Sequence, residues 1–398
     1  MKNLVVLCFL SFVLFACNTS GSGGADTGSL QALALPKPGH IAPAELKAHQ
    51  ERLSGFFDSM LLTKGFNGSI LVAKDGNILY ENYHGFGDLR GKDPIADTTA
   101  FHIASTSKTF TGVAILQLVQ QNKLSLDDSI QRFFPSLPYP GISVRMLLNH
   151  RSGLPNYVYF IPNSKWDKKV MVMNEDVLNT LYTDKPPRSF SPDIRFSYSN
   201  TNYVLLAMIA EKITGIPFPQ YMQQRIFGPL GMSHTYVYTL ADSARALPSF
   251  NYNNSFWEND FLEGTYGDKN IYSTPRDLLK WDQALYSEVL VNKAMLDSAF
   301  KPYSHERPSI HNYGLGFRLL NFPTGKNVVY HFGRWHGFNA AFARLTDERV
   351  TVIILGNKFN RNIYTAAQRV YPLFGDYTTG SSPEEEADAP APPRKKKR

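Results

Sequence analysis

The segment FHIASTSKTFTGVAILQLV, Phe101 to Val119, sets Ser105 and Lys108 three residues apart where an apolar helical pattern begins. A serine hydroxyl is a poor nucleophile until a base takes its proton, and an amine at i+3 on the same helical face can reach it. A helix start adds free backbone N–H groups and the positive end of a dipole, both favourable to an oxyanion. Ser-x-x-Lys alone is a common pattern: roughly one or two matches arise by chance in a chain of this length, and Ser298 with Lys301 is a second one. Taken singly, Ser105 reads as a helix cap.

Two further motifs change that reading. FSYSNTNYVLLAMIAEKITG places Tyr198 and Asn200, 93 residues after Ser105, in a short turn ahead of an apolar helix. A tyrosine there can relay a proton and an asparagine amide can hold a substrate carbonyl. Tyr-x-Asn is also weak alone, since Tyr80–Asn82 and Tyr252–Asn254 match it. YHFGRWHGFNA puts His331 and Gly333 on one face of a strand, because side chains two apart share a side. The glycine leaves room for a substrate against the strand, and the neighbouring N–H can complete an oxyanion site.

The elements that must bring these residues together are legible in outline. SILVAKDGNILYENYHGFGD alternates apolar and polar residues around Asp75-Gly76 and predicts an antiparallel hairpin. Phe110, Val113, Ile115, Leu116 and Val119 recur at near-helical spacing, so a helix starts near Ser105 and buries its later turns. From about 121 to 264, proline-bounded loops and helical runs predict a mostly helical insertion. STPRDLLKWDQALYS reads as a helix with Thr274 as cap, Pro275 at its first position and Asp277 as capping-box partner, Ser273 also being assigned to capping. YGLGFRLL, NVVYHFG, NAAFARLT and RVTVIILGN then read as successive strands, with a final helix after Asn362. Strands, helices, strands and a helix in this order imply an α+β fold: an antiparallel sheet flanked by helices, its halves at about 45–120 and 265–378, with a cleft where the insertion meets the sheet.

The chain ends carry different information. MKNLVVLCFLSFVLFAC has Lys2, an apolar run from Leu4 to Phe15, and Ala16 before Cys17. This is the layout of an export signal, too short for the ~20 residues that span a bilayer, and it resembles a bacterial lipoprotein signal (1–17) with Cys17 as the acylated residue. The two cysteines, Cys8 and Cys17, both lie in it, so a body without this segment has neither a disulfide nor a cysteine metal site. Residues 18–44 are Gly/Ser-rich and then Pro-punctuated, which suits a flexible tether of about 25–30 Å, and the charged tail 379–398 reads as disordered. The body, 45–378, carries 34 Lys/Arg against 29 Asp/Glu. Such a mild excess argues against nucleic-acid binding and does not disfavour an anionic small substrate. There is no H-E-x-x-H, no phosphate loop and no G-x-S-x-G elbow, and covalent catalysis by one activated serine needs no metal or cofactor.

Ser-x-x-Lys, Tyr-x-Asn and His-x-Gly, in this order and at these separations, resemble the serine β-lactamase and penicillin-binding protein superfamily, in particular its class C-like branch. LLNHRSGLP (Leu147 to Pro155), ITGIPFPQYMQQRIFGPLGMSHT and YSTPRDLLKW resemble recurring segments of that branch, so the likeness covers roughly residues 50–370. The resemblance implies a β-lactamase/transpeptidase-like fold with Ser105 as acyl-forming nucleophile, Lys108 and Tyr198 sharing the general-base and general-acid work, and Asn200 positioning substrate or Lys108. It also implies an oxyanion hole from the backbone N–H groups of Ser105 and Arg334. His331 stands where lactam-processing members most often have lysine, and an imidazole that is mostly neutral at pH 7 attracts a carboxylate less than an ammonium does. Esterase, D-amino-acid peptidase and amidase activities therefore stay open beside β-lactamase activity. His150, Arg151 and Gly153 are expected to shape a loop near the cleft, and His336, after Trp335, to edge the pocket or pack as an aromatic neighbour.

These readings add up to an exported hydrolase of small-molecule or peptide-like esters or amides, held to the bacterial cell envelope by its lipid and facing the periplasm or surface. Two competitors remain: a sensor that acylates without turnover, and a structural envelope lipoprotein that no serine-directed probe labels.

Overall fold

The computed structural model describes residues 32–378. Cys17 with the expected signal, the first part of the tether and the charged tail lie outside the described residues. The later tether differs from expectation. Leu33 N–H donates to Pro229 O (2.8 Å), Gly39 N–H to Asp75 O (2.8 Å) and Asn77 Nδ2 to Gly39 O (2.6 Å). Leu33 and Leu35 pack on the core, and it is this apolar contact that turns the prolines' extended backbone into a strap laid on the body.

Seven antiparallel strands form the central sheet: β1 (Gly68–Lys74), β2 (Asn77–His84), β3 (His311–Tyr313), β4 (Arg318–Asn321), β5 (Asn327–Trp335), β6 (Phe338–Leu345) and β7 (Val350–Gly356). Their spatial order is β3-β4-β5-β6-β7-β1-β2. The chain thus leaves the sheet at the β2 edge, re-enters at the opposite edge as β3, and closes on its first hairpin through β7, with Gly68 opposite Gly356 and Lys74 opposite Val350. Asp75 (φ 48°) and Gly76 (φ 78°) turn the first hairpin, the two positive φ values that a type I′ turn requires.

Helices cover both faces, which is why the central strands are apolar on both sides. Ile70, Val72, Ala341, Ala343, Val352 and Ile354 face one side, towards α1 (Pro43–Met60) and α5 (Asn362–Arg369). Leu71, Ala73, Ala340, Phe342, Ile353 and Leu355 face the other, towards α2 (Ser107–Gln120), α3 (Asn200–Thr214) and α4 (Pro275–Ala284). Phe110 of α2 stacks on Trp281 of α4 at 4.0 Å between ring centres. Arg344 of β6 anchors α4 through Asp282 (Nε to Oδ1, 2.7 Å) in a fully buried ion pair. Between α2 and Gly264 the regular elements are helices and single helical turns joined by long loops, with three two-residue strands. No helix of the described residues is long and apolar enough to cross a membrane.

Two local readings need correction. YGLGFRLL is not one strand: Tyr313 ends β3, Arg318 begins β4, and Gly314 N–H donates to Phe317 O (2.8 Å) across the turn between them. Gly316 has φ 97°, and a Cβ there would lie 3.0 Å from Lys108 O, so it serves close packing against α2, whereas a Cβ on Gly314 would strike Ala299 O at 1.9 Å. In α4, Thr274 does cap by accepting from Asp277 N–H (3.2 Å), but the Asp277 carboxylate accepts from His234 N–H (2.9 Å) and Thr235 Oγ1 (3.0 Å) instead of returning to the cap. Ser273 Oγ pairs with Thr235 Oγ1 at 2.8 Å. The pair therefore ties α4 to the insertion.

Candidate active site

Ser105 sits in a one-turn 3-10 segment, Ala104–Thr106, that leads into α2. Ala104 has φ 48°, a conformation that costs a non-glycine residue about 1–3 kcal/mol and persists where the surroundings over-determine it. Those surroundings are visible. Ala104 N–H donates to His102 Nδ1 (3.1 Å), and His102 Nε2 meets Asn270 Oδ1 at 2.8 Å. Both contacts are satisfied at once by the neutral ring protonated on Nε2, and burial pushes His102 down to about 4. Thr106 Oγ1 donates to His331 O (3.1 Å), and Ser107 Oγ accepts from Ile271 N–H (3.1 Å).

Lys108 is fully buried. Its Nζ lies 3.2 Å from Ser105 Oγ, 2.8 Å from Asn200 Oδ1 and 2.8 Å from Asp268 O. Tyr198 OH lies 3.0 Å from Ser105 Oγ on the side open to solvent. The hydroxyl, amine, phenol and amide named from sequence thus converge on one point. Asn200 is the first residue of α3 and its backbone N–H donates to Asn156 Oδ1 (3.2 Å), which fixes the start of that helix beside Lys108.

His150 holds the tyrosine. It is fully buried at φ 57°, its ring centre 4.3 Å from that of Tyr198, and its backbone O accepts from Ser197 N–H (2.8 Å). Its Nδ1 accepts from Ser199 N–H (3.2 Å) and lies 3.1 Å from Asn202 Nδ2. Burial first, and then the charge of Lys108, hold it well below the usual histidine range. Gly153 at φ 69° lets the same loop pass Phe190, whose carbonyl a Cβ would strike at 2.0 Å. Arg151 spans the loop to Asp193 (2.5 Å) and Glu306.

His331 and Gly333 lie on the Ser105 side of β5, with roles that differ from the sequence reading. The His331 ring is fully enclosed: Nδ1 donates to Phe332 O (2.7 Å), so Nε2 accepts from Tyr313 OH (3.0 Å). Burial first, then Arg318 and Lys108, keep it well below the ordinary value, so it supplies no positive charge to a ligand. Gly333 makes room for protein instead of substrate, since a Cβ there would lie 2.4 Å from Ile103 O and 2.7 Å from Ser105 N. Because β4 pairs only with Asn327–Tyr330, β5 from His331 onward is paired on one side, with β6. This one-sided stretch, Arg334 included, runs beside the Ser105 turn.

Some functional neighbours gave no signal in the sequence. Asp268 contributes through its backbone oxygen, which any residue would supply, while its Oδ2 accepts from Tyr157 OH (2.9 Å). His102 sits three residues before the serine in an unremarkable FHIAS. Arg318 places its guanidinium carbon 5.3 Å from the Tyr198 ring centre, from a strand 120 residues further on. Asp260, Glu263 and His336 bring potential metal ligands within 4.8 Å of one another. Glu263 Oε1 already accepts from Trp335 Nε1 (2.9 Å) and His336 Nε2 (2.6 Å), so this cluster is a hydrogen-bonded brace and His336 its aromatic-flanked member.

A helix-borne serine and lysine, a tyrosine from an inserted helical region and an edge of antiparallel sheet define a β-lactamase/transpeptidase-like fold. The sequence profile of the Beta-lactamase family matches residues 63–371, and the chain belongs to that family, within the serine hydrolase superfamily of β-lactamases and penicillin-binding proteins. It is similar to penicillin-binding protein 4* of Bacillus subtilis (strain 168), 32% identical over 369 residues that cover 87% of this chain and 80% of the relative. Among solved structures it resembles a penicillin-binding protein from Bacillus halodurans (TM-score 0.71, 24% identity, 81% of this chain and 99% of the other). It also resembles the D-amino acid amidase from Ochrobactrum anthropi SV3 complexed with L-phenylalanine amide (TM-score 0.68, 25% identity, 82% and 97%).

Proposed function

We propose that the protein is a hydrolase that forms an acyl-enzyme on Ser105 with an ester or amide substrate. The observation that carries this reading is that Lys108 Nζ and Tyr198 OH both reach Ser105 Oγ, at 3.2 and 3.0 Å. Asn200 Oδ1 and Asp268 O can only accept hydrogen bonds. At rest the Lys108 ammonium donates to all three oxygens; in the reacting form it has lost one proton, keeps Asn200 and Asp268 with its two remaining hydrogens and turns its lone pair to Ser105. In this reading the Oγ proton passes to Nζ as Oγ attacks the carbonyl carbon. The oxyanion is held by the backbone N–H groups of Ser105 and Arg334, and Tyr198 gives its proton to the departing oxygen or nitrogen. Lys108 returns a proton to Tyr198, and water, losing a proton to the same lysine–tyrosine pair, then cleaves the acyl-enzyme.

The enclosed, neutral His331 favours esters and amides of the kind taken by the amidase-like relatives over β-lactams that rely on a cation at that position. Export and lipid attachment at Cys17 belong to the same proposal and rest on the N-terminal signal pattern. Fatty-acid labelling of the full chain that disappears in Cys17→Ala is the expected result. For the chemistry, a fluorophosphonate probe is expected to modify Ser105, read by peptide mapping. Modification at another residue, or undiminished turnover in Ser105→Ala, overturns the proposal.

A further inference from the structure

The segment that delivers Tyr198 to the site has little packing of its own. Residues 191–196 form no helix or strand, and their side chains are exposed or half-buried, Ile194 being 62% exposed. With so little apolar burial, hydrogen bonds must fix its path. Three amides along 189–197 donate to the loop that carries His150: Ser189 N–H to Gly153 O (2.9 Å), Asp193 N–H to Arg151 O (2.8 Å) and Ser197 N–H to His150 O (2.8 Å). Arg151 adds its side chain, with Nε donating to Asp193 Oδ1 (2.5 Å) and Nη2 to Asp193 O (2.6 Å). One residue therefore grips Asp193 at its N–H, its carbonyl and its carboxylate. Asp193 has φ 63°, in the left-handed region that residues other than glycine seldom occupy.

The same guanidinium reaches a second segment. Its Nη1 donates to Ser304 Oγ (3.2 Å) and to Glu306, in the stretch that leads into β3, whose Tyr313 donates to His331. Both segments line a cavity of about 490 Å³, through Phe190 and Phe196 from one and Ser304, Glu306 and Tyr313 from the other. Arg151 is largely buried, where charge-assisted bonds are little screened. Three nitrogens aimed at separate groups suit a planar guanidinium, whereas lysine offers a single nitrogen. We propose that Arg151 is a positioning residue for Tyr198: by tying Asp193 to the segment before β3, it sets where the phenol stands relative to Ser105 Oγ. The inference rests on the hydrolase reading, in which Tyr198 protonates the leaving atom, and adds the residue that keeps it in place. Loop shaping alone predicts lost stability. Positioning predicts a kinetic loss that grows with the leaving atom's need for that proton.

Phenyl butyrate and 4-nitrophenyl butyrate share an acyl group and differ in how much the departing oxygen needs a proton. In R151Q, kcat/KM is expected to fall at least tenfold on the phenyl ester and less than threefold on the nitrophenyl ester, with R151K no better than R151Q. In the Y198F background the same change is expected to cost less than twofold on either ester, because the group it positions is gone. Equal losses on the two esters, no loss on either, or a loss undiminished in Y198F overturns the proposal.

If a fluorophosphonate leaves Ser105 unmodified, the hydrolase reading fails and the clamp is still decided by hydrogen exchange. Amides of residues 189–199 are expected to exchange at least fivefold faster in R151Q than in the wild type, with those of β6 and β7 unchanged. Asp193→Asn changes a side chain that is 60% exposed, so the fold is kept, and it is expected to shift the same amides in the same direction. Unchanged exchange over 189–199 in both variants counts against the clamp.

Discussion

The two faces of the central sheet are used differently. Against α1 and α5 the sheet presents aliphatic and aromatic side chains such as Ile70, Val72, Val352 and Ile354, with Asn339 Nδ2 to Tyr364 OH (2.7 Å) as a polar contact. Against α2 the same strands carry His331, Gly333 and the buried Arg344–Asp282 pair, and Ser69 and Thr351 keep buried hydroxyls without a partner. One face is optimised for packing, while the other carries desolvated polar groups that a purely structural core would not keep. Such residues destabilise unless each is satisfied; His102 and Asn200 beside Ser105 are hydrogen-bonded, while His150 Nε2 and Asp268 Oδ1 are buried without a hydrogen-bond partner.

If that division holds, changes on the inner face alter turnover and spare stability, and changes on the outer face do the reverse. The largest expected effect is Ser105→Ala, which lowers kcat by about 10⁴-fold or more while the urea midpoint stays within error, since it deletes one oxygen at a site 5% exposed. Tyr198→Phe removes a proton donor and keeps the ring against His150. A loss of about 10²–10⁴ in kcat is expected, concentrated on substrates with poor leaving groups. Equal loss on activated and unactivated esters would show that the phenol only packs.

Phe57→Ala probes the opposite face. Phe57 is fully buried in α1 and stacked on Tyr80 at 5.3 Å between ring centres, so truncation costs about 3–5 kcal/mol in denaturant unfolding. The kcat of the molecules that remain folded should be unchanged. A kinetic defect in the folded fraction would mean that the two faces are coupled through β1 and β7.

The inner face was legible wherever chemistry depends on a side chain at fixed local spacing. Ser105 and Lys108 share a helical face, Tyr198 and Asn200 straddle a helix start, and Asp75-Gly76 writes its own turn. It was illegible where a backbone atom or a distant segment does the work. Asp268 acts on Lys108 through its carbonyl oxygen, so its residue type announces nothing. Gly316 reads as strand interior because the helix it presses against, at Lys108 and Gly112, lies some 200 residues earlier. Gly333 and His331 were found by motif, but their packing against the Ser105 turn and Tyr313 is tertiary and reverses the part expected of them. Arg318 reads as an ordinary strand cation until the insertion folds Tyr198 beneath it.

The finest distinction lies within the inner face, between groups that react and groups that hold them. His102 touches no reacting atom, yet as neutral acceptor for Ala104 N–H it fixes the strained turn before the nucleophile. In the unfolded chain a histidine titrates near 6.5, whereas burial pushes folded His102 down to about 4. A lowered histidine contributes its full stability above pH 6.5 and loses it as the pH falls through 6.5 towards 4, at most roughly 3 kcal/mol by linkage. Protonation also turns Nδ1 from acceptor into donor, so in the folded protein the hold on Ala104 fails as the pH falls through about 4. In His102→Asn the amide oxygen can take the place of Nδ1 and has no proton to gain. The decline in unfolding free energy between pH 6.5 and 4 should therefore be shallower in the variant by up to that amount, His150 and His331 keeping their own share of the decline. Stability and turnover profiles that coincide for the two proteins over this range would assign the acid sensitivity to those other buried rings and reduce His102 to packing.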